Sequence, residues 1–433
     1  MTLRGFLLKE SAHIDSYYAA SANPAPVFAP LAGETHVDVC VVGGGLAGCS
    51  TALHLAERGY RVALLESHRI GWGASGRSGG QAITGFASGQ QKLVQQVGFE
   101  NARRMWDISL EGLRLIRERV EKHAIDCDLH WGQVHVAVKE RQRAELRHEL
   151  EEAGDRYGYH QLQYLERDAV QNLLATKRYI AGVYDSGSGH LHPLNYTLGL
   201  AAAAHRTGVQ VYENSTVTDL QLGDPATVTT STGRVTAKFV VLCSNAYGPP
   251  LLPALRARIM PVGTYIVATE PLGEERITQL IRKNVAVTDI NFVLDYFRRS
   301  ADHRLLFGGR VAYSGRDAFN TAEATRKRMV KVFPQLADAR IQYAWGGYVD
   351  ITMNRAPDFG RVSWNVYYLQ GFSGHGIALT GVAGKLVAEA IAGQAERFDL
   401  FTQLKHRDFP GGPMLRTPAL MLAMLWFRMR DLL

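Results

Sequence analysis

VDVCVVGGGLAGCSTALHLAERGYRVALLE, residues 37 to 66, holds the pattern from which the fold can be read. Val37, Val39, Val41 and Val42 make a short apolar, β-branched run of strand length. Gly43, Gly45 and Gly48 follow in a G-x-G-x-x-G frame. Leu46, Cys49, Ala52, Leu53 and Leu55 then recur with helical spacing up to Arg58, and Gly59 stops the helix. A second strand, Val62 to Leu65, ends in the acid Glu66. Strand, glycine turn, helix, strand and terminal acid are together the signature of a dinucleotide-binding unit. Gly43 permits the tight turn, Gly45 lets backbone approach a pyrophosphate, and Gly48 lets helix and strand pack closely. The helix start presents free N–H groups and a partial positive charge. Glu66 suits a ribose hydroxyl pair and would repel a 2′-phosphate.

Outward from this unit, two further glycine clusters stand out. IGWGASGRSGGQ, from Ile70 to Gln81, sets Arg77 and Gln81 among five glycines. A flexible linker has no use for those side chains, so backbone wrapped against a bulky planar ligand is the better account. VYYLQGFSGHGIALTGVAGKLVAEAIAG, residues 366 to 393, reads as strand, glycine-rich turn and helix. Gly371, Gly374 and Gly376 leave N–H groups free there, a second helix start suited to negative charge.

Between these clusters the signal alternates. Residues 100 to 123 read as an amphipathic helix carrying Trp106, Leu110, Leu113, Ile116 and Val120. Strands are expected at 130–138 and 179–185, with a charged helix over 139–157. The segment 194–212 has helix-to-strand character, and 238–248 is an apolar strand ending in a small-residue turn. From Ile259 to Trp345 strands dominate, with one basic helix near 322–333. The expected organisation is an N-terminal arm at 1–33, a dinucleotide-binding domain from 34–98, 193–250 and 357–395, and a second domain from 99–192 and 251–356 built on a largely antiparallel sheet. A tail at 396–433 follows.

The chain has 433 residues, 46% apolar and 21% charged, ordinary for a globular protein of two domains. The net charge of +7 is spread without long Lys/Arg blocks, which argues against nucleic-acid binding. Cys40, Cys49, Cys127 and Cys243 have no metal-ligand spacing and read as small buried hydrophobes of a reducing compartment, so no metal site is expected. Lys9, Glu10, His13 and Asp15 interrupt any apolar leader, and a cytoplasmic location is expected. LRTPALMLAMLWFRMRDLL, residues 415 to 433, is too short to span a bilayer. It reads as a helix docked on the body or on a partner subunit, with peripheral membrane contact as the alternative.

VVGGGLAG, the acid at Glu66, GASGRSGG, HLHPLNY and LQGFSGHGIALTGVAGKLVAEAI occur in that order over nearly the whole chain. In this the sequence resembles the FAD-dependent amine and amino-acid oxidases of the D-amino-acid oxidase superfamily, and within it the members that act on gamma-glutamylated polyamines. The resemblance implies an α/β fold of the D-amino-acid oxidase and glycine oxidase type, with a Rossmann-like FAD-binding domain interleaved with an α+β substrate domain. It implies FAD held along Gly43, Gly45, Leu46, Ala47 and Gly48 at the pyrophosphate. Glu66 and Ser67 would meet the adenosine ribose with Arg69 nearby, and the backbone of Val217 the adenine. Ala74, Ser75, Gly76, Gly80 and Gln81 would approach the ribityl chain and flavin, and Gly371, Gly374, Gly376 and Ile377 the pyrimidine end of the ring. YVDITMNRAPDFG, residues 348 to 360, has no cysteine where several relatives attach FAD covalently, so a non-covalent flavin is expected. Ala378 stands where sarcosine-type relatives carry a carboxylate-binding lysine, which points to a longer amine.

The implied reaction is oxidative deamination of an amine by hydride transfer and imine hydrolysis, with O2 as acceptor. The alternatives are a dehydrogenase of a secondary or N-methylated amine that passes electrons to a quinone or a protein, and a flavin-binding scaffold without turnover. The flavin carries the redox step, leaving orientation and desolvation to the protein. His375 in the SGHG turn is the best candidate to contact substrate. Tyr296 and Arg298 alternate onto one face of a strand and are candidates to line its cavity. Arg77 is a candidate to lie near the flavin ring, whereas His192 before Pro193 reads as a turn residue.

Overall fold

A computed structural model describes residues 12–248, 251–291, 294–312 and 318–410. Its organising strand is Gly33–Val42, in which Val39, Cys40 and Val41 are wholly buried. It lies between two parallel neighbours, Gly233–Leu242 and Val62–Leu65. Val366–Gln370 continues the sheet in parallel beyond Gly233–Leu242, and Gln210–Tyr212 does so beyond Val62–Leu65. Burial on both faces explains the unbroken apolar runs of these strands. Asp358–Ser363 closes one edge antiparallel, and a hairpin of Val217–Gln221 and Ala226–Thr230 extends from Gly233–Leu242.

Six helices share the main apolar core with this sheet: Leu46–Ala56, Gln90–Val97, Phe99–His123, Pro193–Arg206, Gly376–Ile391 and Glu396–Thr402. Leu46–Ala56 and Gly376–Ile391 approach so closely that a Cβ on Gly384 would come within 2.6 Å of the Thr51 backbone. His192 caps Pro193–Arg206, its Nδ1 accepting from the Asn195 N–H at 3.1 Å.

The second sheet has nine strands and is antiparallel except where Ala286–Asp289 runs parallel to His130–Ala137. Its longest pair is Ile259–Thr269 with Ile341–Thr352. Gln81–Ala82, expected with the first domain, pairs instead with His190 and Gly189 on the edge of this sheet. The N-terminal arm is pinned: Ser16 caps a single helical turn, Tyr17–Ala20, and Tyr17 and Tyr18 are buried in a cluster with Ile266 and Trp345. All four cysteines are buried free thiols. Among the described residues no single helix is long and apolar enough to cross a membrane, and the apolar stretch 415–433 lies outside those residues.

Candidate functional site

At the carboxyl ends of the parallel strands lies an elongated cleft of about 1100 Å³, its open mouth included. Gly43, at φ +110°, makes the turn out of the central strand, and a Cβ there would sit 2.7 Å from the Cys243 carbonyl. Gly48 lets the helix Leu46–Ala56 touch that turn, for its Cβ would lie 1.8 Å from the Gly43 oxygen. The helix start is therefore held against the strand ends, and Gly45 caps it with no side chain of its own. Ser75 reaches over from the second glycine cluster, its Oγ accepting from the Leu46 N–H at 2.9 Å.

Glu66, at the end of Val62–Leu65, accepts from the Gly44 N–H at 2.7 Å and from the His68 N–H at 3.0 Å. Burial raises its pKa, opposed by those N–H donors. On the other side Gly374, Gly376, Ile377 and Thr380 bring the start of Gly376–Ile391 to the same cleft, again without a side-chain cap. Two helix N-termini whose own cap residues supply no side-chain acceptor thus converge on one groove with a ribose-type acid at its side, an arrangement that fits an extended dianionic dinucleotide. Bulk is excluded at Gly43 and Gly48 by the Cys243 and Gly43 backbone, which keeps the turn and the helix start packed together beneath that groove.

Of the residues singled out from sequence, Gly43, Gly45, Leu46, Ala47, Glu66, Ser67, Ala74, Ser75, Gly374, Gly376 and Ile377 line this cleft. The others stand elsewhere. Gly48 packs beneath the turn. Arg69 pairs with buried Glu213 at 2.8 Å. Gly76 packs on the Gly71 backbone, and Gly80 on Leu191 and the Arg298 guanidinium. Gln81 is tied to the second sheet, donating to the Val287 carbonyl at 3.2 Å and accepting from Thr288 Oγ1 at 2.6 Å. Val217 is buried in the core of the first sheet. Gly371 is covered by Asp350, which accepts its N–H, and by Thr352 and Asp358.

The four candidates for substrate contact do not gather at the cleft. His375 is half-buried between two glycines of its wall; burial, then the charges of His135 and Arg355, hold its imidazole down to about 4, so it is neutral at pH 7. Tyr296 and Arg298 do share one face, both against the Gly79–Gly80 turn. Arg298, however, is spent on structure. It donates to the carbonyls of Gly79 at 3.0 Å, Leu191 at 2.9 Å and Arg299 at 3.0 Å, and to Tyr18 Oη at 3.2 Å. Arg77 lines a separate cavity. Ala378 is buried in the main core, its backbone carbonyl against Gly112 of the helix Phe99–His123, and is not among the residues that line the cleft.

Sequence reasoning missed several lining residues. His68 and Trp72 stack with ring centroids 3.9 Å apart at 9°, walling one end. Ser244, Asn245 and Tyr247 come from the small-residue turn after Gly233–Leu242, and Asp350 from the far end of Ile341–Thr352. Trp72 could have been found, since it is the one large side chain in the IGWGASG loop. Asp350 gave no signal. Burial pushes its carboxyl up to about 7, against donors from Gly371 and Asn245.

A parallel sheet that offers its carboxyl ends and two helix starts to one long ligand, with a large antiparallel sheet alongside, defines a two-domain dinucleotide-dependent oxidoreductase. Residues 38–390 match the family described as FAD dependent oxidoreductase, and the chain belongs to that family. It is an FAD-dependent enzyme. It is 44% identical to gamma-glutamylputrescine oxidoreductase of Escherichia coli over 97% of this chain and 98% of that protein. It is 42% identical to a probable oxidoreductase of Haemophilus influenzae over 97% of each. Glycine oxidase from Geobacillus kaustophilus superposes with a TM-score of 0.72 over 86% of this chain and all of that one, at 23% identity, a likeness of fold.

Proposed function

We propose that the chain oxidises the terminal primary amine of gamma-glutamylputrescine or a related gamma-glutamylated polyamine. Amine, O2 and water give aldehyde, ammonia and H2O2. The observation that carries this reading is the 44% identity to the Escherichia coli enzyme along nearly the full length of both chains. It is supported by a cleft with every part an extended FAD needs. When bound, FAD supplies the two-electron oxidation at the carbon bearing the amine.

The roles of this chain's residues follow from their placement. Gly45 and Ala47 offer backbone N–H groups to the pyrophosphate, Gly43 and Leu46, whose own N–H groups are bonded to the Leu65 carbonyl and to Ser75 Oγ, shape the turn beside it, and Glu66 and Ser67 hold the adenosine ribose. His68 and Trp72 form a stacked plate for a flat ring. The start of Gly376–Ile391 offers positive potential to a ring that gains negative charge, worth about 0.3–2 kcal/mol. His375, neutral at pH 7, adds no cation there and leaves an incoming amine free to enter as its neutral base. With all four thiols buried and none in 348–360, the flavin is held without a covalent bond.

The test is a panel of gamma-glutamylputrescine, putrescine, sarcosine and a D-amino acid offered to holoenzyme without oxygen, with flavin bleaching as the readout, then in air with peroxide as the readout. Gamma-glutamylputrescine should bleach fastest and yield one peroxide per amine. Faster bleaching by sarcosine overturns the substrate. Bleaching without peroxide assigns a dehydrogenase in place of an oxidase.

A further inference from the structure

Alongside the FAD cleft a second cavity, of about 850 Å³ with its mouth, is lined by Asp15, Arg77, Tyr265, Trp345 and Tyr348 among others. One strand serves both spaces: Ile341–Thr352 gives Gly346, Gly347 and Tyr348 to the cavity, and Val349 and Asp350 to the cleft. Arg77 bridges them as well. Its guanidinium carbon lies 4.2 Å from the Trp72 ring centroid and 5.5 Å from that of Tyr247, and both rings wall the cleft.

Arg77 is 5% exposed. Its Nε donates to the Trp72 carbonyl at 2.7 Å and its Nη1 to the Gly346 carbonyl at 3.5 Å, while Nη2 is buried with no partner. Both bonded nitrogens thus meet neutral carbonyls, and the cation stays unneutralised. A guanidinium that only braced a loop would be expected to satisfy its remaining donor or leave it in water, because a buried unpaired donor is costly. Carboxylates are the ligands a planar guanidinium recognises best. Asp15, exposed on the arm, adds the opposite charge to the same cavity. Tyr265, Trp345 and Tyr348 supply aromatic wall between.

The geometry points to this cavity as the subsite for the far end of the amine substrate, an α-amino-acid head. The Arg77 guanidinium takes its carboxylate, Asp15 faces its ammonium, and the aromatic wall sheathes the chain that carries the reacting amine toward the flavin cleft. The assignment rests on the reading of the substrate as a gamma-glutamyl amine and names what recognises the glutamyl group.

The experiment uses FAD-loaded enzyme and a probe with no amine to oxidise at its far end, the gamma-glutamyl amide of propylamine, titrated by the change in flavin absorbance. Its partner probe is the 4-aminobutanoyl amide of propylamine, which lacks only the carboxylate. Wild type should bind the first about 10- to 100-fold tighter, the range of a charged hydrogen bond. Arg77→Gln should erase that preference while leaving the second probe within about twofold. No preference in wild type, or equal loss of both probes in Arg77→Gln, overturns the subsite. Should Arg77→Gln fail to hold FAD, Asp15→Asn serves in its place. It should weaken the first probe relative to its N-acetyl derivative, and equal effects on the two overturn the assignment. Arg77-dependent probe binding in an enzyme that gamma-glutamylputrescine does not bleach leaves the subsite standing and removes the proposed reaction. Bleaching with no carboxylate preference does the reverse.

Discussion

Asp350→Asn should change how stability depends on pH, and the size of the change follows from the site. The carboxyl of Asp350 is 1% exposed, accepts the Gly371 N–H, and is pushed by burial up to about 7. In the unfolded chain an aspartate loses its proton at about 3.9. The native state therefore keeps a proton that the unfolded state releases, and stability falls as pH rises through that interval. The contribution is intact below about 4 and lost above about 7. Between pH 5 and pH 8 the loss integrates to about 2.6 kcal/mol. Unfolding entropy of about 2.1 cal/mol/K per residue over 433 residues makes each kcal/mol worth about 1 °C in midpoint. The asparagine variant cannot ionise, so its midpoint relative to wild type should rise by about 3 °C on going from pH 5 to pH 8. Asp289, also raised to about 7 by burial and then by Asp295, contributes equally to both proteins and cancels. Thermal scans of FAD-saturated protein at the two pH values measure the gap. A gap that is the same at both would show that Asp350 is already ionised in the native cleft and refute the reasoning.

Gly48→Ala forces the helix Leu46–Ala56 away from the Gly43 carbonyl, a backbone atom that cannot swing aside. Overpacking of this kind costs about 1–3 kcal/mol, and the FAD Kd should rise at least about tenfold, read by quenching of flavin fluorescence. Glu66→Ala removes the acceptor that orients the Gly44 and His68 N–H groups and should raise the FAD Kd by about 10- to 100-fold, with Glu66→Gln affected less. Arg298→Met strips donors from the Gly79 and Leu191 carbonyls, and its thermal midpoint should drop by about 3 °C or more while the amine KM stays within about twofold. A raised KM at unchanged midpoint would return Arg298 to the substrate cavity.

The cofactor half of the site was legible in sequence because its grammar is local. Gly43 to Glu66 is one strand–helix–strand unit, and each residue's task is set by neighbours within that span. The two remaining glycine clusters could be matched to it because bare backbone is itself the signal. The second sheet's side chains were not legible in the same way. Arg298 alternates correctly with Tyr296, yet its partners Tyr18, Gly79 and Leu191 lie 280, 219 and 107 residues away. Alternation says which face a side chain takes and nothing of whether its donors are already used. The strand Ala181–His190 was expected at 179–185 because Gly187 and Gly189 break the β-branched pattern that marks a strand.

The cleft draws its wall from residue 42 at one extreme and residue 380 at the other. During translation, at about 5–20 residues per second, roughly 17 to 67 s separate the emergence of the glycine turn from that of Thr380. For much of that interval the valine-rich central strand has Val62–Leu65 on one side and lacks Gly233–Leu242 on the other, and Val366–Gln370, which pairs with Gly233–Leu242, comes later still. Flavin cannot act as an early template for this polypeptide, and a nascent chain stalled before Gly233–Leu242 would present the unpaired, aggregation-prone edge of the central strand. Supply of FAD during expression should therefore affect how much finished enzyme is loaded, while holding chaperones govern how many chains reach that point.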